Sequence, residues 1–214
     1  MKRIMLRVGL TGGIATGKST VGQMFVELGC HSIDSDHITH QLFEPGQSVH
    51  NAVVKEFGAR ILAPDGTIDR RILGGIVFKE DPASRKKLNS LVHPAVIQRQ
   101  QEWLKEVQEK DPTGIAIVAA ALMIEVGTYK NYDEVIVVTC SPEVQKQRLT
   151  QRSGLQEDEI DVRIGSQMPV SEKEKYADFV IDNSGDLSNT RRQVVEVNSR
   201  LRESAASSSG KHRP

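Results

Sequence analysis

The chain has 214 residues, with 28 basic against 28 acidic side chains and two cysteines. Balanced charge gives no overall field to recruit nucleic acid or an anionic membrane, so any anion site has to be local. Two isolated thiols, Cys30 and Cys140, read as small core residues in a reducing compartment; no run approaches the roughly 20 apolar residues of a membrane-spanning helix, and MKRIMLRVGLTGG turns glycine-rich too early for a secretory leader. The expectation is one cytoplasmic enzyme with a small-molecule substrate and no nucleic-acid, membrane or obligate protein partner.

In chain order, IMLRVGL (4–10) reads as a buried strand, and KSTVGQMFVELG places Val21, Met24, Phe25 and Leu28 at helical spacing with Gly29 as a stop. CHSID (30–34) is a short second strand. From about 37 to 110, helical apolar patterns are broken at Pro45-Gly46 and at the Pro64-Asp65-Gly66 turn. Residues 84–92 and 95–110 read as two helices parted at His93-Pro94, because a residue before proline is pushed out of the α region. IAIVAA (115–120) and DEVIVVTC (133–140) are continuous apolar runs of the kind a parallel sheet buries on both faces. Ser141-Pro142-Glu143 opens a helix to about Arg152. A very polar segment follows, then a fifth strand, ADFVID (177–182), an Asn183-Ser184-Gly185 turn and a last helix over 187–203. The result is an α/β fold: a five-stranded parallel sheet flanked by helices over 1–36 and 112–204, a helical substrate-binding insertion at 37–111 and a helical lid at about 153–177. The tail 205–214 lacks apolar residues to offset ordering entropy and is expected to be disordered.

Gly12-Gly13-Ile14-Ala15-Thr16-Gly17-Lys18-Ser19 fits G-x-x-x-x-G-K-[ST] without a mismatch, directly after a strand and opening a helix. The glycines let backbone N–H groups turn inward around phosphates, the helix N-terminus favours negative charge, Lys18 reaches the β and γ oxygens, and Ser19 is placed to ligate Mg²⁺. Thr20 caps the same turn and contacts a phosphate. Tight packing of a glycine turn would explain neither Lys18 nor Ser19. The motif predicts nucleotide binding; kinases, GTPases and transport ATPases share it, so it does not fix the chemistry.

Asp34 and Asp36 fall where the second strand ends, and in an open α/β sheet such strand ends meet at the ligand crevice. A carboxylate there can accept a hydrogen bond from a substrate hydroxyl and orient it for in-line attack, or hold a metal-bound water. Asp36 is the expected catalytic group, and Asp34 is structural or in the outer shell of the metal. IVAAALMIE puts no carboxylate at the end of the third strand, and Glu125 is open between metal outer shell and helix surface. No N-K-x-D base-recognition motif occurs. Both points favour a small-molecule kinase over a GTPase or motor.

Arg148 and Arg152, four apart on the helix after the fourth strand, can face one site, where planar guanidinium groups bind phosphate oxygens in pairs. Between Gly154 and Ala177 the chain is charged and poor in core residues, as a closing lid would be; Arg163 belongs on its inner face. Asn183 lies beside the expected adenine pocket by position. His93 divides between a buried hydrogen-bonding helix break and a substrate contact.

Together GLTGGIATGKSTV, the strand-end I-D-S-D, F-G followed by D-G-T-I-D-R, RKKLNSLVHP, EVQKQRLTQR and RIGSQMPVSEKEKYADFVIDNSG resemble the dephospho-coenzyme A kinases, from about residue 5 to about residue 200. The phosphate loop is common to very many proteins; the H-P step and Q-M-P…K…A-D-x-V-I-x-N are particular to this family. The resemblance implies a P-loop kinase core, a helical coenzyme A domain and a lid. It implies ATP-dependent phosphorylation of the ribose 3′-hydroxyl of dephospho-coenzyme A, with Mg²⁺, as the last step of coenzyme A synthesis. By the same resemblance Gly12 to Thr20 bind ATP, Asp36 is the base, Arg148 contacts ATP phosphates with Arg152 a weaker match, and Arg85 and His93 face the acceptor. One departure stands out: where the family reads P-L-L-x-E, this chain has Ala121-Leu122-Met123-Ile124-Glu125.

Overall fold

A computed structural model describes residues 5–77, 82–153 and 156–207, the side chains of Pro82, Arg152 and Ser153 lying outside that description. Five strands, β1 (Leu6–Gly12), β2 (His31–Asp34), β3 (Ile115–Ala119), β4 (Glu134–Thr139) and β5 (Phe179–Asp182), form one parallel sheet in the order β2-β3-β1-β4-β5. The helices are α1 (Lys18–Glu27), α2 (Ser35–Leu42), α3 (Ser48–Phe57), α4 (Arg70–Gly75), α5 (Pro82–Lys110), α6 (Pro142–Ser153), α7 (Glu157–Gly165), α8 (Val170–Lys173) and α9 (Leu187–Ser207). None of the described helices is long and apolar enough to cross a membrane.

The apolar runs read as parallel strands are buried throughout β3 and over most of β1 and β4. Val8, Leu10, Ile117, Ile136, Val138 and Ile181 of the sheet pack with Val21 and Phe25 of α1 and with Val194 and Leu201 of α9. Because β1 sits centrally, between β3 and β4, the chain leaves its C-terminal end at the point where strand order reverses, the usual ligand crevice of an open α/β sheet. Register aligns the exits. Asp34 pairs with Ala119, Ala119 with Leu10, Gly12 with Val138, and Thr139 with Asp182.

The chain divides into two compact units, one holding residues up to Asp34 and from Lys105 onward, the other Ser35–Leu104. These limits differ from the expected 36/37 and 111/112. The first contains the sheet with α1, α6, α7, α8 and α9. The second is helical, with Ile38, Val49, Val53, Phe57, Ile61, Ile68 and Leu73 buried. Its α4 is capped by Asp69, whose carboxylate accepts from the N–H groups of Arg71 and Ile72, and its expected Pro64-Asp65-Gly66 turn is tied by Asp65 Oδ1 to the N–H and hydroxyl of Thr67.

Two expectations are corrected. The predicted break at His93-Pro94 does not occur: α5 is a single 29-residue helix with Pro94 inside it. Proline costs about 3 kcal/mol in a helix interior, but helical propagation through the Lys-, Leu-, Gln- and Glu-rich flanks on both sides outweighs one lost hydrogen bond. Residues 205–207, secondly, are helical and not part of a disordered tail. α9 runs to Ser207, and Ala205, four residues after Leu201, extends the same buried stripe against the core. Residues 208–214 lie outside the described residues.

Candidate active site

The phosphate loop is the turn from β1 into α1. Gly17, at φ 94°, is the left-handed residue before Lys18, and Ala15 is the one non-glycine at positive φ among the described residues, at 59°. A Cβ on Gly17 would lie 2.0 Å from Asn183 Nδ2, so glycine is required there for space as well as for φ. The loop's carbonyls are held by side chains. Gly13 O accepts from Thr16 Oγ1 at 3.0 Å, Ile14 O from Gln145 Nε2 at 2.7 Å, and Thr16 O from Asn183 Nδ2 at 2.8 Å and Arg148 Nη1 at 3.3 Å. Two of the loop's N–H groups are engaged within the protein, Ile14 N–H by Gln167 Oε1 and Thr16 N–H by Gly13 O at 3.3 Å, so an anion nest here draws on the other N–H groups of the turn.

At the inner end, Lys18, 7 % exposed, donates to Asp34 Oδ2 at 3.0 Å, and the exposed Ser19 hydroxyl lies 3.3 Å from the same oxygen. The α1 helix turn brings lysine and hydroxyl together, and the β2 strand end supplies the carboxylate. Thr20 is exposed in the same first turn. Among the described residues there is no group of three or more His, Cys, Asp or Glu side chains that could hold a metal. The Ser19 hydroxyl and the Asp34 carboxylate are nevertheless hard oxygen donors side by side, the donor set that suits Mg²⁺ bound partly through water and partly through nucleotide phosphates.

Asn183 follows β5 and is 2 % exposed. Both ends of its amide are committed inside the protein, Nδ2 to Thr16 O and Oδ1 to the Thr190 hydroxyl at 2.9 Å. It therefore supports the loop from beneath. Arg148 likewise donates to Thr16 O and, at 2.8 Å, to Asn183 O. The Arg152 side chain lies outside the described residues. Cys140 is only half-buried, beside Arg148; burial pushes its thiol up against the lowering pull of that guanidinium. Cys30 is the buried cysteine, its thiol pushed up to about 11 by burial.

The expected lid segment divides in two. α7 carries one deeply buried residue, Ile160, and joins α6 through a Lys146–Asp161 ion pair at 2.8 Å, with Arg163 exposed. Residues after it are fastened to the sheet: Gln167 Oε1 accepts from Ile14 N–H at 2.8 Å, Met168 N–H donates to Glu125, and Lys173, fully buried, pairs with Glu125 at 2.9 Å. Glu125 is thus the partner of a buried lysine. Gln145, Gln167 and Lys173 went unassigned in the sequence, although Gln145 lies one turn before Arg148 on α6 and Gln167 opens the Q-M-P stretch.

In the helical unit, Asp36 is exposed in the first turn of α2. Arg85 and His93 are part-buried on α5, and burial lowers the His93 imidazole below its ordinary range.

The sequence profile described as dephospho-CoA kinase matches residues 6–189. A dephospho-CoA kinase of Aquifex aeolicus is 45 % identical over 193 residues, covering 90 % of this chain and 96 % of the relative. The chain belongs to the dephospho-CoA kinase family. The solved dephospho-CoA kinase of Campylobacter jejuni superposes with a TM-score of 0.67 at 29 % identity, covering 92 % of this chain and 97 % of that one; TT1252 from Thermus thermophilus gives 0.75 at 29 %, covering 92 % and 98 %. Membership carries dephospho-CoA kinase activity, the final step of coenzyme A synthesis, and with it the use of ATP. Ala121, the position where the resemblance implied proline, has its carbonyl accepting from Lys173 Nζ at 2.5 Å. A proline keeps that carbonyl, so this contact does not depend on the substitution.

Proposed function

We propose that the chain transfers the γ-phosphoryl group of ATP to the ribose 3′-hydroxyl of dephospho-coenzyme A, with Mg²⁺, and that Asp36 receives the hydroxyl proton. The observation that carries this reading is the convergence of Lys18 and Ser19 on Asp34 Oδ2 at the end of β2, two residues before Asp36 along the chain. Phosphoryl transfer asks the protein for position and charge more than for covalent chemistry. In this account the N–H groups of Ala15 and of Gly17 to Thr20 cradle the phosphates, Lys18 neutralises charge on the β and γ oxygens, and Arg148 spreads positive charge over the migrating group. Ser19 would hold Mg²⁺, with Asp34 in its outer shell, and the ion would supply positive charge to offset that of the phosphates.

The 3′-oxygen attacks the γ-phosphorus, the bond to the β–γ bridging oxygen breaks, and ADP leaves. Asp36 orients the attacking hydroxyl and takes its proton as the new ester forms. Asn183 acts through the loop, by fixing Thr16 and Gly17. We assign the acceptor's binding to the helical unit, with Arg85 and His93 as its contacts, and place the enzyme in the cytoplasm, a reading that two unpaired thiols support.

The test is ADP formation from ATP and Mg²⁺ with dephospho-coenzyme A, without acceptor, and with shikimate, simple sugars or nucleoside monophosphates. Turnover that requires dephospho-coenzyme A is the expected result. Equal turnover without acceptor would make the protein an ATPase and overturn the assignment.

A further inference from the structure

Ile14 is engaged on both sides of its backbone: its N–H donates to Gln167 Oε1 at 2.8 Å and its carbonyl accepts from Gln145 Nε2 at 2.7 Å. The next residue, Ala15, has a φ of 59°, a left-handed conformation that a residue with a side chain keeps only where its surroundings impose it. Gln167 is itself fixed. The N–H of its neighbour Met168 donates to Glu125 Oε1 at 3.0 Å, Glu125 pairs with the buried Lys173, and Lys173 donates to Ala121 O. That carbonyl also accepts from Thr11 Oγ1 at 3.3 Å, and Thr11 immediately precedes Gly12. The contacts close a ring: β1 at Thr11, the turn after β3, the stretch from Gln167 to Lys173, and back to the phosphate loop at Ile14.

We propose that this ring, together with Gln145 of α6, positions the phosphate loop, with Gln145 and Gln167 as the positioning residues. By holding both Ile14 groups they keep Ala15 left-handed and direct the N–H groups that follow at the nucleotide phosphates; Glu125 and Lys173 keep Gln167 in place. A glutamine is chemically apt at 167, because it offers a neutral acceptor where a carboxylate would repel phosphate. The ring also makes the stretch from Gln167 to Lys173, expected as part of a lid, a fixed buttress. This inference rests on the ATP-binding reading above.

The test uses the full chain carrying Gln167→Met, which keeps side-chain length and removes the acceptor. ADP affinity measured by calorimetry and KM for ATP should weaken by about five- to tenfold, the worth of one hydrogen bond, while KM for dephospho-coenzyme A stays within about twofold. The Ile14 amide should exchange with deuterium about tenfold faster. Gln167→Glu restores the acceptor and should restore that protection. Lys175→Ala, two residues beyond that stretch and paired with Glu172 at the surface, should change neither KM. Unaltered ADP affinity and Ile14 exchange in Gln167→Met, equal rises in both KM values, or an effect of Lys175→Ala as large as that of Gln167→Met would each overturn the proposal. Absence of kinase turnover in the unmutated chain would strike the catalytic reading instead, and ADP affinity with Ile14 exchange would still judge the ring.

Discussion

Around the phosphate loop, the carbonyls of Gly13, Ile14 and Thr16 each meet a side-chain donor, and the amide that holds Thr16 is buried and satisfied at both ends. In the helical unit the residues assigned to the acceptor are presented differently, Asp36 exposed in the first turn of an eight-residue helix and Arg85 and His93 part-buried along α5. One region is over-determined and the other is more exposed. The difference follows the ligands' chemistry: a triphosphate is recognised by many backbone N–H groups whose directions must be set beforehand, whereas one positioned carboxylate suffices for a hydroxyl proton.

Substitutions in the two regions should therefore separate kinetically. The largest effect belongs to Lys18→Ala, which removes charge from the transition state and should lower kcat by about 10³; a loss below tenfold in steady-state assays would deny Lys18 that role. Asp36→Asn should lower kcat by about 10² while KM for ATP holds, and a matching rise in KM for ATP would move Asp36 to the nucleotide side. Asn183→Ala strips Thr16 O of one donor and leaves Thr190 without its amide acceptor, so chemical denaturation should show a loss of roughly 2 kcal/mol together with a raised KM for ATP. Unchanged stability would contradict the buried support drawn here.

The smallest effect concerns pH. Burial lowers the His93 imidazole, so the unfolded chain binds that proton more tightly than the folded one. Its contribution to stability is complete above the unfolded value, about pH 6.5, and is lost as pH falls through the lower folded value. His93→Gln should flatten the acid side of the stability curve over that window. A curve that keeps its slope would assign the dependence to other groups.

Much of the over-determined region was legible because its signals are local. The G-x-x-x-x-G-K-[ST] spacing, the apolar runs of β1, β3 and β4 and the Ser141 cap, whose hydroxyl accepts from Val144 N–H at 3.3 Å, each follow from neighbouring residues. What escaped depends on partners far along the chain. Gln145 and Gln167 contact Ile14 across 131 and 153 residues, and Lys173 looks like surface charge until the turn after β3 folds over it. The charged composition of 154–177 suggested one mobile piece because composition does not report which charges are buried. α5 ran through Pro94 because the rule for residues before proline weighs one backbone junction, while a long helix weighs all of its hydrogen bonds. The tail erred the same way: Ala205 counts as apolar only once its place opposite the core is known.

The measurement that bears most directly on the account is phosphorus NMR of the reaction product, with dephospho-coenzyme A as acceptor and ADP followed in parallel. A single new phosphomonoester signal coupled to the ribose H3′, one per ADP formed, is the predicted result. Inorganic phosphate in place of that signal, or a monoester on a different hydroxyl, would contradict it.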